Sequence, residues 1–187
     1  MDKATAVAAV LLLLALGLLA FGGAMHCGFV HYDDDQYVVN NPQVLNGLSW
    51  PGARWAFTTG HACLWLPLTW LSLMADTEWC GGVARGYHTT SVILHALNGA
   101  LLFLVLRRWT GRFAWPLIAA ALWAVHPLRV ESVAWISERK DVLAMFFGLL
   151  ALGAYGQQGS RGRGAWTALF FALSLMSKPM WVTLPFV

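Results

Sequence analysis

Charge is scarce in this chain. Only 11% of its 187 residues are Asp, Glu, Lys or Arg, against 58% that are hydrophobic. A soluble domain carries about a quarter charged residues, so a fully aqueous surface is excluded and lipid is the expected solvent. The 12 Lys and Arg residues are scattered, and the net charge is only +3. Without a basic stripe, nucleic acid is not an expected partner. Cysteine is limited to Cys27, Cys63 and Cys80, with no Cys-x-x-Cys pair and no His/Cys spacing of a zinc site. One disulfide with a leftover thiol and three free buried thiols are both open readings. No internal repeat is present, and the low-complexity content is limited to the short Gly-Ser-Arg turn at 159–164. The missing inverted repeat counts against a transporter.

What the chain does have is apolar runs and 11 tryptophans, a residue that prefers the water–lipid interfaces. Five runs stand out, at 4–21, 88–106, 113–126, 142–157 and 165–177; an apolar segment, 178–187, follows Lys178-Pro179. A span needs roughly 17–25 residues. The first run qualifies outright, and the second does if it starts near His88. The others are short and carry Pro127 or Pro179 at an end, as broken helices lining a cavity do. The expectation is therefore an all-α, polytopic transmembrane bundle of about five spans, in one domain over 1–187. A long outer loop, 22–90, bears short interfacial helices at 67–74 and near Trp50-Pro51, and a second outer loop covers 127–141.

Lys3, Arg107, Arg108, Arg112, Arg161 and Arg163 all fall on one side of a five-span chain. By the positive-inside trend that side is cytoplasmic. The first run exceeds the usual hydrophobic region of a cleaved signal peptide, and no clean Ala-x-Ala site follows it. His26 stands before Cys27, so no lipobox is present.

Three segments could carry chemistry. In His31-Tyr32-Asp33-Asp34-Asp35-Gln36-Tyr37, three adjacent carboxylates repel one another, which favours a bound proton or a cation. Such a cluster suits a general base. No cofactor is demanded, but a divalent cation would fit; the plain alternative is a solvated acidic turn. The second segment runs from His126-Pro127-Leu128-Arg129-Val130-Glu131 to Ser137-Glu138-Arg139-Lys140-Asp141. If Pro127 opens one helix, Glu131 and Glu138 share its face. Arg139 and Lys140 would then lie at headgroup depth, able to hold a lipid phosphate; the alternative is ordinary snorkelling. The third is a stripe inside the second span, His88, Ser91, His95 and Asn98, for which interhelical hydrogen bonding is the simpler reading. Lys178 should face the same compartment as the acidic turn. Together these make an outward cavity with carboxylates on one wall and cations on the other. It suits a transferase whose donor is a membrane lipid with a phosphate leaving group.

Several motifs in order carry a resemblance: Tyr32-Asp33-Asp34-Asp35, Pro67-Leu68-Thr69-Trp70, His126-Pro127-Leu128-Arg129-Val130-Glu131-Ser132-Val133-Ala134-Trp135, Ser137-Glu138-Arg139-Lys140-Asp141-Val142-Leu143 and Ser177-Lys178-Pro179-Met180. The chain resembles the membrane part of bacterial tetratricopeptide-repeat glycosyltransferases. These are similar to the transmembrane and tetratricopeptide-repeat O-mannosyltransferases of the GT-C superfamily. The resemblance implies a polyprenyl- or dolichyl-phosphate-linked sugar donor, a protein or other hydroxyl acceptor, and inverting transfer. It implies a location in the bacterial inner membrane with a periplasmic active side, or in the ER membrane with a lumenal one. The acidic pair of the first outer loop would map to Asp33 and Asp34, with Asp33 the favoured base; the catalytic set is Asp33, Asp34 and Asp35, and the choice of base among the three stays open. The phosphate side would be Arg139, Lys140, Arg129 and His126, supported by Glu131, Glu138, His95 and Lys178. Family members carry more membrane helices and a repeat domain, so the chain reads as truncated. A non-catalytic membrane subunit, or a lipid-binding or transport protein that keeps the fold, is the alternative.

Overall fold

A computed structural model describes residues 3–156 and 162–186, and among these no strand forms. The helices are α1 (Lys3–Phe21), α2 (Pro42–Leu45), α3 (Trp50–Thr58), α4 (Pro67–Cys80), α5 (Ala84–Thr110), α6 (Ala114–Ala124), α7 (Val130–Ala134), α8 (Arg139–Tyr155) and α9 (Arg163–Ser177), joined by 3-10 and π turns. Arg161 and the end of the 142–157 run lie outside the described residues.

Among the described residues, two helical segments are long and apolar enough to cross a membrane. The first is α1 with its 3-10 extension, Lys3–His26, and the second is α5, Ala84–Thr110. At 1.5 Å per residue, the 27 residues of α5 reach about 40 Å. Gly111, at φ 66, ends α5 in the left-handed conformation that glycine tolerates. A third crossing exists if α6 and the segment Pro127–Ala134, bent by 57°, count as one broken span. Pro127 accounts for the bend, because it drives His126 into extended backbone (φ −68, ψ 129). The other two helices at candidate spans are shorter, 17 residues for α8 and 15 for α9.

Around α5 the bundle closes on small residues. A Cβ at Gly17 of α1 would come within 2.9 Å of the Ala96 backbone, and one at Gly99 within 3.2 Å of Ala124. Helix association in lipid relies on such close approach. α1 runs antiparallel to α5: Leu13 shares a cluster with Phe103, Gly17 meets Ala96, and Phe21 packs edge-on to His95 at 4.8 Å.

The segment 22–90 is a packed layer rather than an open loop. Trp70, Leu73 and Met74 of α4 and Leu66 just before it are fully buried, clustered with Tyr37, Val44, Ala56 and Tyr87. α4 extends six residues past the apolar run that announces it, to Cys80. Its added turns carry Asp76, which a buried arginine neutralises. Cys27, Cys63 and Cys80 are free and exposed, so neither a disulfide nor buried thiols describe them.

The second outer segment is not one helix. Trp135 is extended (φ −96, ψ 120), so a 3-10 turn, α7, a second 3-10 turn and α8 follow in sequence. The break removes the shared face expected for Glu131 and Glu138. α8 begins at Arg139 rather than Val142.

Candidate active site

The acidic turn and the 126–141 segment meet. Asp34 is fully buried and accepts from the Val30 backbone N–H at 3.0 Å and the Ser137 N–H at 2.8 Å. Both carboxylate oxygens are therefore spent on holding the two segments together. Tyr32 packs on Trp135 at 5.9 Å. Asp35 is drawn outward to His31 at 3.4 Å, an exposed contact worth little. Asp33 is half-buried and, among the described residues, makes no hydrogen bond or ion pair. The three carboxylates thus diverge, and no three His, Cys, Asp or Glu side chains among the described residues gather as a metal site.

Two cation networks lie behind the turn. Arg139 is fully buried. Its Nη2 donates to Asp76 Oδ2 at 2.7 Å and to the Tyr87 carbonyl, Nη1 to Ser72 at 2.9 Å, and Nε to Ser91 at 3.0 Å. Each guanidinium nitrogen is engaged within the protein, whereas the sequence reading has Arg139 offering its fork to a lipid phosphate. A carboxylate buried on α4 needs a counter-charge, since an unpaired one costs several kcal/mol, and Arg139 supplies it. Asp76, Ser72 and Tyr87 escaped the sequence reading; the one signal was a carboxylate in the frame of an apolar helix.

Lys140, also buried, pairs with Glu138 at 2.6 Å, donates to the Ser137 carbonyl at 3.0 Å and sits 4.8 Å over the Tyr37 ring. Lys178 joins from the end of α9, bonded to Glu138 at 3.2 Å and to Asp141, whose other oxygen accepts from Ser132 at 3.1 Å. Burial alone would lower the Lys178 pKa, but Asp141 and Glu138 more than offset it and hold the ammonium above the ordinary lysine value. The Tyr37 hydroxyl is pushed up to about 12 by burial, with Glu138 and Asp33 adding their charge. Tyr37 is thus the group that feels both the turn and the cation loop.

Arg129 stands apart. Its guanidinium lies 5.2 Å over Trp123, and its buried Nε has no partner. His126 is exposed, and its Nδ1 accepts from the Leu128 N–H at 3.2 Å, capping the turn. Glu131 is exposed. The stripe on α5 ties that helix to its neighbours: His88 contacts the Gly28 carbonyl at 3.3 Å, Ser91 accepts from Arg139, His95 donates to the Ala124 carbonyl at 2.8 Å, and Asn98 to that of Val142 at 2.8 Å.

Fold and site define a helical membrane protein with a charged centre at one end of its bundle, where a broken helix meets a folded extramembrane layer. No family model and no solved structure matches the chain. Named relatives do. It is 33% identical over 161 residues to the protein O-mannosyl-transferase TMTC1 of Mus musculus, covering 81% of this chain and 17% of that protein. It is 32% identical to Tmtc1 of Drosophila melanogaster over 75% of this chain and 17% of the relative. For TMTC4 of Homo sapiens the identity is 28%, over 85% of this chain and 24% of the relative. The chain is a homologue of the TMTC protein O-mannosyl-transferases, and spans between 17% and 24% of the length of these three relatives.

Proposed function

We propose that this chain forms the catalytic end of a multi-pass membrane glycosyltransferase with five spans and its charged centre on the outer face. In this reading a mannose-like sugar passes from a polyprenyl-phosphate donor to a protein or other hydroxyl acceptor. The acceptor oxygen attacks the anomeric carbon from the face opposite the leaving group. The anomeric C–O bond to phosphate breaks, the polyprenyl phosphate leaves with the electron pair, and Asp33 takes the hydroxyl proton. Configuration inverts because displacement is direct.

The observation that carries the reading is the division of labour in the triplet. Asp34 is held by two backbone N–H groups and Asp35 leans outward toward His31, while Asp33, next in the chain to Asp34, makes no hydrogen bond or ion pair among the described residues. On the other wall, Arg129 has an unspent donor and, with His126 and Lys140, would face charge growing on phosphate. Arg139 acts in this scheme as a positioning residue through Asp76, and Lys178, Glu138 and Asp141 hold the loop. The test is a transfer assay on the full-length protein with a polyprenyl-phosphate sugar. Asp33→Asn should lower turnover by roughly 10²–10⁴-fold, as loss of a general base does, with donor affinity kept. Arg129→Gln should weaken donor binding as well. Near-normal turnover in Asp33→Asn would place the base elsewhere.

A further inference from the structure

At the end of the bundle opposite the acidic turn, a groove of about 700 Å³ runs over α8, which packs against both α5 and α9. That volume lies within the roughly 300–1,000 Å³ of sites that bury a small ligand. On α5 one wall is Leu101, Leu104 and Val105, with Arg108 a turn further on, all on one face of the helix. Phe170 of α9 also lines it. The floor is low because Gly153 and Ala154 of α8 are small; a Cβ at Gly153 would meet only Val105, at 3.7 Å.

Arg107 and Arg108 stand at the mouth. Arg108 Nε donates to the Gly156 carbonyl at 3.1 Å, which carries its guanidinium across from α5 to the end of α8. Its two Nη nitrogens, and all of Arg107, make no hydrogen bond or ion pair among the described residues. Neither α5, α6 nor α9 contains a carboxylate, and that of α8, Asp141, lies at its far end. Asp2 lies outside the described residues. Trp109, against Gly156, and Tyr155, under Arg163, are exposed beside the mouth; rings of this kind collect at headgroup depth.

An apolar helix would fill the trough and leave the arginines unanswered. A small anion would answer the arginines and leave the trough empty. A molecule with a phosphate and a hydrocarbon chain does both. We propose that the groove is a binding site for an anionic phospholipid, with an acyl chain over Gly153 and the phosphate between Arg107 and Arg108, whose forks suit its oxygens. The lipid clasps α5 to α8. The site is independent of the transfer reading, whose donor would sit at the other end of the bundle.

The experiment uses the full-length protein, delipidated in detergent micelles and titrated with dioleoyl-phosphatidylglycerol or dioleoyl-phosphatidylcholine. Native mass spectrometry counts the bound lipid, and thermal unfolding reports its effect on stability. The expected result is saturable retention of phosphatidylglycerol with a raised melting temperature, and weaker retention of phosphatidylcholine. Arg107→Gln and Arg108→Gln should each weaken phosphatidylglycerol binding about fivefold, the worth of one cation at an anionic lipid surface. Arg112→Gln, which removes a cation at the same end but outside the groove, should change little. Gly153→Leu fills the trough, keeps both arginines, and should abolish saturable binding; it decides the matter if the arginine variants fail to fold. Equal retention of the two lipids, an equal loss in Arg112→Gln, or undiminished binding in Gly153→Leu overturns the site. So does a full-length protein that retains neither lipid, which would assign the groove to another part of the longer chain.

Discussion

Tyr37 shows how a single side chain reports the state of this centre. Its ring is 3% exposed, lies beneath the Lys140 ammonium and feels both Asp33 and Glu138. Its folded pKa of about 12 stands above the ordinary value of 10.0. Below pH 10 both folded and unfolded chains hold the proton, and stability does not depend on this group. Above it the unfolded chain ionises first, so stability falls from pH 10 towards 12. Two units correspond to about 2–3 kcal/mol. Tyr37→Phe should flatten that alkaline loss in a denaturation series from pH 9 to 12; an unchanged profile would assign the loss to another group. In the sequence Tyr37 was legible only as an aromatic flanking the triplet. The triplet was legible as a site, but not its internal split. Which carboxylate turns inward depends on Ser137, 103 residues away, and no local pattern encodes that partner. The partner of Arg139 was hidden for the same reason: its counter-charge, Asp76, sits on another helix.

Among the elements, α1 was the plainest in the sequence, being an uncharged apolar run, yet its mate was not. The crossing is set by Gly17, where an added Cβ would lie 2.9 Å from Ala96 Cα and 3.1 Å from its Cβ. Backbone cannot yield there as a flexible side chain would. Gly17→Leu should separate α1 from α5 and cost about 1–3 kcal/mol of overpacking. Gly17→Ala should fall between the two, and Leu12→Ala, on the exposed side of α1, should change little. Thermal unfolding in detergent reads all three, and equal melting temperatures for Gly17→Leu and the parent would deny the close crossing. Pro127 made the α6 break foreseeable, because the residue before proline avoids helix. The second break, at Trp135, was not foreseeable. It serves the Asp34–Ser137 link, which a continuous helix through 137 would bury within its own ladder.

At the scale of the whole molecule the charges sort by end. α1 is antiparallel to α5, which puts Lys3 at the end of the bundle where Arg107 and Arg108 lie. Arg108 Nε donates to the Gly156 carbonyl at 3.1 Å, bringing the end of α8 to the same place, and Arg163 lies 5.9 Å over the Tyr155 ring. The opposite end holds the balanced network of Lys140, Lys178, Glu138 and Asp141 and the packed 22–90 layer. Among the described residues, Arg107, Arg108 and Arg163 have no carboxylate partner at one end, while Arg139, Lys140 and Lys178 are matched by carboxylates at the other, where Arg54, Arg85 and Arg129 are not. Short cationic segments stay cytoplasmic, so the paired end and its site should face outward. The three native thiols, all free and exposed, sit in that layer. A membrane-impermeant maleimide added to right-side-out vesicles should label Cys27, Cys63 and Cys80 without detergent. A cysteine placed at Gly164, in a variant with the native three changed to serine, should label only after the membrane is opened. The opposite pattern would put the cationic end outside, and with it overturn the outward-facing site.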